Sequence, residues 1–499
     1  MNIGILVAVL IYEVAIILGV GMWLAKREAS HAAQEGDFAL AGRHLPLPVV
    51  AITLALTVLG TAHILGIFEI SWFLGASAVW FSISHVVLLV LVCLTTGLWV
   101  RRLGLTTVPE ILKLLYGRTT RLLVSCTMAG VIFGILTIET QGIGIIVSSM
   151  TGWSIRNGAI VGGILGVFYV VLAGMKEVGW LNLVNAIVMY AGLVLATVFI
   201  AFRLPGGDYS SVAEFYTAAD TSYMLSIYGT PQIFFSFALG TTVAVVFSQS
   251  INQMLMQPCM SAQSEATVRK ALWIAAPLNG MFGVFAVVIG LTAKTIPEFA
   301  ELGPKVAATT MLVNYLPPWL AALLLASFLA AILSTFAMTA LAPATIFTVD
   351  IYRNLYRPEA SEKDMARVMR ISIIVLAAIA MTVAAFLPPI LAAMNWLFSW
   401  LVPVFWVVLF GLFWKRSAPV AIATLIAAWI ANSAWSFTDL PAALGVPELP
   451  NAYITLAVTL AVGIVGNLFA GANAQQGYFR SSDYRDRVEA QRLAGTASA

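Results

Sequence analysis

Charge is what this sequence has least of. Of its 499 residues only 10% are charged while 61% are hydrophobic, whereas a soluble domain carries roughly 25% charged residues. A water-soluble chain of this length would need polar groups to clothe its surface, and they are missing. A soluble enzyme, a nucleic-acid binder and a secreted disulfide scaffold are excluded together, leaving a protein that crosses the bilayer many times. Cysteine is also scarce. Cys93, Cys126 and Cys259 each lie in or beside an apolar run, so neither a disulfide framework nor a metal cluster is implied. A net charge of +3 calls for no polyanionic partner. The opening MNIGILVAVL lacks a basic n-region, and no small-residue cleavage site follows it, so the first apolar run is read as an uncleaved span. No nucleotide-binding loop, nucleophile with its base or paired metal carboxylates can be found, so the chain is not read as an enzyme and no cofactor is expected.

What is present is a series of apolar stretches of about 20 residues, each long enough to cross about 30 Å of hydrocarbon. Thirteen are predicted: 3–25, 46–70, 73–100, 119–149, 156–174, 178–202, 231–258, 268–293, 306–350 (one span with a helical extension at each end), 368–387, 391–413, 417–437 and 451–471. With the N-terminus outside, 22 of the 26 basic residues fall in cytoplasmic segments and only Arg156, Arg203, Lys294 and Lys305 fall outside. That split satisfies the positive-inside rule, and one span more or fewer would reverse it. The expected organisation is a single transmembrane domain over 1–472, followed by a polar, disordered cytoplasmic tail over 473–499. In segment 107–117, Thr107 and Glu110 stand in capping-box register, which predicts a short cytoplasmic helix.

Polar residues inside the spans are the places to look for function. In the second span Gly60 and Gly66 bracket His63, with Thr57 and Thr61 nearby; such a segment either unwinds to turn carbonyls toward a cavity or packs closely on a neighbour. In the ninth span Ser334 and Thr335 are adjacent, one turn after Ala331. Two hydroxyls and a carbonyl suit a hard monovalent cation, although hydroxyls in membrane helices also bond back to the preceding turn. His63 and His85 are the two histidines within spans. Glu13 and Glu139 are the deepest carboxylates, and Glu139 clusters with Thr140 and Gln141. The run Ser248 to Gln253, followed by Gln257, is costly in lipid and is expected to line a cavity or the cytoplasmic vestibule.

Five stretches in order, DFALAGRHLPLPVVAITLAL, TTVPEILKLLYG, NQMLMQPCMSAQS, AAILSTFAMTALAPATIFTVDIYR and FGLFWKRSAPVA, resemble the sodium:solute symporter family, carriers of proline, sugars, sialic acid, pantothenate and monocarboxylates. The resemblance implies an all-α, LeuT-like core of two inverted five-helix repeats, here about 46–202 and 231–413, with solute and sodium bound near the midplane. It implies a sodium site at the carbonyls of Leu56, Leu59 and Ala331 and the hydroxyls of Ser334 and Thr335. Its cavity-lining positions fall on His63, Phe81, Ser82, His85, Val245 and Ser248, with Glu139, Gln141, Ser399 and Trp400 as further candidate walls. Two departures stand out: Val58 replaces a carboxylate found in proline carriers, and Pro258 replaces the usual arginine of the seventh-span motif. The expected function is sodium-coupled symport of a small organic solute, an amino acid, short organic acid or sugar, by a multi-pass protein of a bacterial inner membrane. The rival readings are proton coupling through Glu139 or a membrane histidine, and a transporter-like sensor or channel.

Overall fold

The computed structural model describes residues 3–28, 45–218, 221–386, 389–471 and 474–486. The DFALAGRH part of the first family-like stretch, with Arg43, His31 and His44, lies outside the described residues, as do 487–499 with Arg487 and Arg492. Helices account for nearly every element, because in hydrocarbon each backbone N–H and C=O must find its partner within the chain. Among the described residues ten helices are long and apolar enough to cross a membrane, and Gly4–Val20, Leu47–Thr57 and Ile155–Phe168 are shorter apolar helices. The span numbers of the sequence are kept below as labels.

Span 1 is Ile3–Glu28. Span 2 comes in two parts, Leu47–Thr57 and then a π-helical turn Ala62–Gly66 that runs on into Ile67–Leu74. Span 3 is Trp80–Leu94. The short helix Val108–Tyr116 opens with the anticipated capping box: Thr107 accepts from the Glu110 N–H, and Glu110 reaches back to the Thr107 N–H. Span 4 is Arg118–Thr151. Span 7 is also divided, into Pro231–Gln249, with a π-helical stretch over Phe234–Leu239, and Gln253–Ser261, and Asn252 caps the second piece by accepting the Met254 N–H. Span 8 is Glu265–Thr295 and span 9 is Pro318–Ile346, extended by the π-helical Phe347–Tyr356. Spans 10 to 13 follow as Glu362–Val383, Ile390–Ser399 with Val402–Phe413, Ala418–Phe437 and Asn451–Phe469.

Several boundaries differ from the sequence reading; among them, span 3 ends at Leu94 and Thr96–Leu103 is a separate helix. The region expected to hold spans 5 and 6 is one helical segment, Ile155–Arg203. Its Gly166 lies against Phe336 and its Gly192 against Leu324. Those partners stand about 18 Å apart along span 9, whereas the helix between the two glycines would cover about 39 Å if straight, so the segment bends. The extension expected at the start of span 9 is a separate helix, Ala307–Tyr315, because Pro317 and Pro318 interrupt the backbone ladder. The start of the polar tail is also ordered. Gln475–Gln476 pairs antiparallel with Lys415–Arg416, and Tyr478 is buried. Arg416 explains this: its guanidinium donates to the Gln476 carbonyl at 2.8 Å and to Asp483 at 3.0 Å, and lies over the Tyr478 ring. Arg416→Ala is expected to release 474–486, and limited trypsin digestion of wild type and variant, read at Arg480 and Arg485, checks this.

Span 9 is the centre of the bundle, with every residue from Leu324 to Ile346 buried. It packs on spans 1, 4, 10 and the bent 155–203 segment and reaches the first part of span 2. A helix surrounded by helices is insulated from lipid, so its hydroxyls must serve partners within the protein.

Candidate functional site

The two interrupted helices face span 9 and span 4 at mid-length. In span 2 the α-helical ladder stops after Thr57. The Leu59 N–H turns back to the Leu56 carbonyl at 3.0 Å, and the Gly60 carbonyl then accepts from both His63 and Ile64. Gly60 is needed for close approach: a Cβ there would lie 2.5 Å from a Glu139 carboxylate oxygen. The second part of span 2 begins at Thr61, whose N–H donates to Glu139 Oε2 at 2.8 Å. Of the two readings left open for this segment, unwinding and close packing, the structure shows both: the helix is interrupted at 58–60, and Gly60 within the interruption and Gly66 beyond it each allow a close approach, a Cβ at Gly66 coming within 2.9 Å of Leu391.

Across from the break, Thr335 Oγ1 donates to the Leu56 carbonyl at 3.2 Å and contacts its own-helix Ala331 carbonyl at 3.3 Å. Ser334 Oγ is fully buried and has no hydrogen-bond partner; Thr57 Oγ1 in the break is in the same condition. A buried hydroxyl without a partner costs about 1–3 kcal/mol, and both of these oxygens stay free to accept or coordinate. The neighbouring Ala55 carbonyl is already satisfied by Asn279 Nδ2 at 3.2 Å.

A small cavity of about 10 Å³ adjoins the break, lined by Thr57, Val58, Gly60, Ala62, Phe81, His85, Ile135, Glu139, Gln249, Met254, Thr335, Met394 and Phe398. That volume admits about one water molecule. His63, Phe81 and His85 stack beside it, with ring centroids 4.3 to 4.8 Å apart. His85 Nδ1 lies 2.8 Å from the Phe81 carbonyl, an acceptor, so Nδ1 carries the hydrogen. His63 faces the Val58 backbone and the Asn279 side chain, but its nitrogens do not reach hydrogen-bond geometry.

Of the residues singled out from the sequence, Thr57, Gly60, Phe81, His85, Glu139 and Thr335 line this cavity, and His63 meets the Phe81 and His85 rings edge-on beside it. Others stand elsewhere. Ser82 abuts Gly283 of span 8. Val245, Ser248 and Gln141 are buried outside the lining, and Ser399 Oγ bonds back to the Asn395 carbonyl at 2.9 Å. Trp400 lines an open apolar groove with Trp429 and Phe437. Gln249, by contrast, brings a side-chain amide with neither atom hydrogen-bonded. Its only signal in the sequence is membership of the polar run. Met254, Met394, Phe398 and Ile135 carry no signal, being apolar residues in apolar spans.

Inter-helix contacts pin the bundle at two places away from the cavity. On one side Gly66 packs on Ile390 and Leu391, and Glu69 accepts the Ile390 N–H at 3.2 Å while Lys305 stands 3.9 Å away. On the other, Arg121 pairs with Asp350 and reaches Glu110 at 3.5 Å, and Thr107 Oγ1 donates to Asp350 at 3.2 Å. Gln253 there accepts the Val108 N–H at 2.8 Å and donates to the Thr106 carbonyl at 3.1 Å.

Comparison with known proteins identifies the family and the fold. The sodium:solute symporter family model matches residues 38–427. An uncharacterized symporter of Escherichia coli K12 is 26% identical over 430 residues, covering 81% of this chain and 74% of that protein. A sodium/glucose cotransporter of Vibrio parahaemolyticus is 24% identical over 440 residues, covering 81% and 80%. Among solved structures, a Na+-coupled sialic acid symporter superposes with a TM-score of 0.79 at 20% identity, over 95% of this chain and 99% of that one. The nucleobase-cation-symport-1 transporter Mhp1 gives 0.56 at 16% identity, over 90% and 97%. The chain has the LeuT-like fold, and as a multi-pass membrane protein that carries small solutes together with sodium it belongs to the sodium:solute symporter family.

Proposed function

We propose that sodium binds between the break in span 2 and the middle of span 9, held by the carbonyls of Leu56, Leu59 and Ala331 and the hydroxyls of Ser334 and Thr335. The observation that carries this reading is the contact of Thr335 Oγ1 with the Leu56 and Ala331 carbonyls, beside the unpartnered Ser334 Oγ. Five neutral oxygens suit a hard monovalent ion that must also be released. The ion ties an irregular segment to a rigid helix, so its binding stabilises one arrangement of span 2 over others. Only such differential affinity couples one ligand to another.

The solute belongs in the adjoining cavity once it expands, against His63, Phe81 and His85 on one side and Gln249, Met254, Met394 and Phe398 on the other. These walls fit a compact solute with an apolar body and a hydrogen-bonding edge, as in amino acids, short organic acids and sugars. Among the described residues no Lys or Arg lines the cavity. The orientation with the N-terminus outside follows from the distribution of basic residues, and the bacterial inner membrane from the short loops and the bacterial relatives.

The test is a thermal-unfolding screen of the purified protein against such solutes in sodium chloride and in choline chloride. A cognate solute at about 100 times its Kd stabilises by about 2.7 kcal/mol, and the stabilisation is expected in sodium and not in choline. Equal stabilisation in both salts, strengthened by acid pH, would support proton coupling instead.

A further inference from the structure

Among the described residues Glu139 is the one carboxylate that lines the cavity, and the sequence offers it as a solute wall or a proton carrier. Its surroundings give it other work. Glu139 Oε2 accepts the Thr61 N–H at 2.8 Å, and that amide opens the second part of span 2. The helix runs on from there through Leu74, so the carboxylate supplies the acceptor for its first amide, which has none within the helix. Glycines clear the way from both directions. A Cβ at Gly60 would sit 2.5 Å from Glu139 Oε1, and a Cβ at Gly142, one turn further along span 4, would collide with Thr61 Oγ1. Span 4 is therefore fitted to the far edge of the break over a full helical turn.

Thr61 is two residues from Leu59 and five from Leu56, whose carbonyls are assigned to sodium above. The near edge of the break is tied to span 9 by Thr335 and to span 8 by Asn279. Glu139 is the tie on the far edge. Without it the second part of span 2 could slide or rotate, and the carbonyls between the two ties would lose their common direction.

We infer that Glu139 is a positioning residue for the sodium site: its carboxylate holds the Thr61 N–H and so fixes the span-2 break in the form that presents the Leu56 and Leu59 carbonyls, without touching the ion. This inference rests on the sodium site proposed above and adds to it a residue from a third helix. It separates Glu139 from the solute walls, because an acceptor at the Thr61 amide, and not a negative charge in the cavity, is what the break requires.

The experiment is equilibrium binding of ²²Na+ to the purified full-length protein, with solute absent, for wild type, E139Q, E139A and the double variant S334A/T335A. The Gln side-chain carbonyl still accepts the Thr61 N–H, so E139Q is expected within about threefold of wild-type sodium affinity, while E139A is expected at least tenfold weaker. G142A, which leaves the carboxylate intact and pushes on Thr61, is expected to weaken sodium several-fold and serves if E139A does not purify as a monodisperse protein. Equal loss in E139Q and E139A would overturn the inference by showing that the charge itself is required. So would unchanged sodium affinity in both E139A and G142A. If S334A/T335A binds sodium like wild type, the site itself is misplaced, and that failure is distinct from the failure of Glu139 to position it.

Discussion

Replacing Ser334 and Thr335 together by alanine is expected to abolish sodium-stimulated uptake and to weaken sodium binding more than a hundredfold. Each hydroxyl that contacts a charged ligand contributes about 1.5–3 kcal/mol, and a loss of about 3 kcal/mol is already more than two powers of ten in affinity. The two single variants separate ligand loss from misfolding. Ser334 Oγ has no partner in the protein, so Ser334→Ala removes a buried unsatisfied group and should leave stability without sodium unchanged or slightly raised. Thr335 Oγ1 bridges to the Leu56 carbonyl of span 2, so Thr335→Ala should lower that stability as well. Sodium-dependent uptake of a cognate solute, with melting in choline as the control, measures both. Unchanged sodium stimulation in the double variant would remove the basis for the site.

The second large effect is expected where the bundle is pinned at the end opposite Glu69. Arg121 is almost wholly buried and Asp350 fully so, and the two pair with each other and with Glu110 and Thr107. Arg121→Ala leaves the Asp350 carboxylate buried without its partner, which costs about 3–5 kcal/mol. The purified variant should melt well below wild type and expose the helix Val108–Tyr116 to protease. Arg121→Lys should recover only part of the loss, because one ammonium cannot reproduce a guanidinium fork reaching two carboxylates. Arg121→Ala combined with Asp350→Ala should be more stable than Arg121→Ala alone, since the stranded charge is then gone as well. An Arg121→Ala protein as stable as wild type would show that the pair is not holding this end together.

Much of this was legible in residue types. Scarce charge and the one-sided distribution of basic residues announced a polytopic membrane protein, and the capping box at Thr107 and Glu110 formed as its spacing requires. The second span broke where Gly60 and its polar neighbours allow it, because a local interruption of the backbone ladder depends on nearby residues. What stayed hidden depends on distant partners. Nothing in the sequence says that Asp350 meets Arg121, or that Gly60 makes room for Glu139 from another helix. Ser82 and Trp400 show the same limit, since a residue at a plausible position on a span can face a neighbouring helix or a surface groove. Gln249 shows it in reverse: its polarity was visible, but only packing revealed that its amide is left without a partner beside the cavity. The ordered start of the tail depended on Arg416, which read from sequence as one more topology-marking cation.

The coupling of the span-2 break to span 9 by sodium is tested most directly by hydrogen exchange in the purified protein, comparing sodium chloride with choline chloride. Peptides covering the break at Val58 to Thr61 and the Ala331 to Thr335 turn should become protected together on adding sodium, with no such change in S334A/T335A. Protection confined to other spans, or equal protection in the double variant, would contradict a sodium site at this junction.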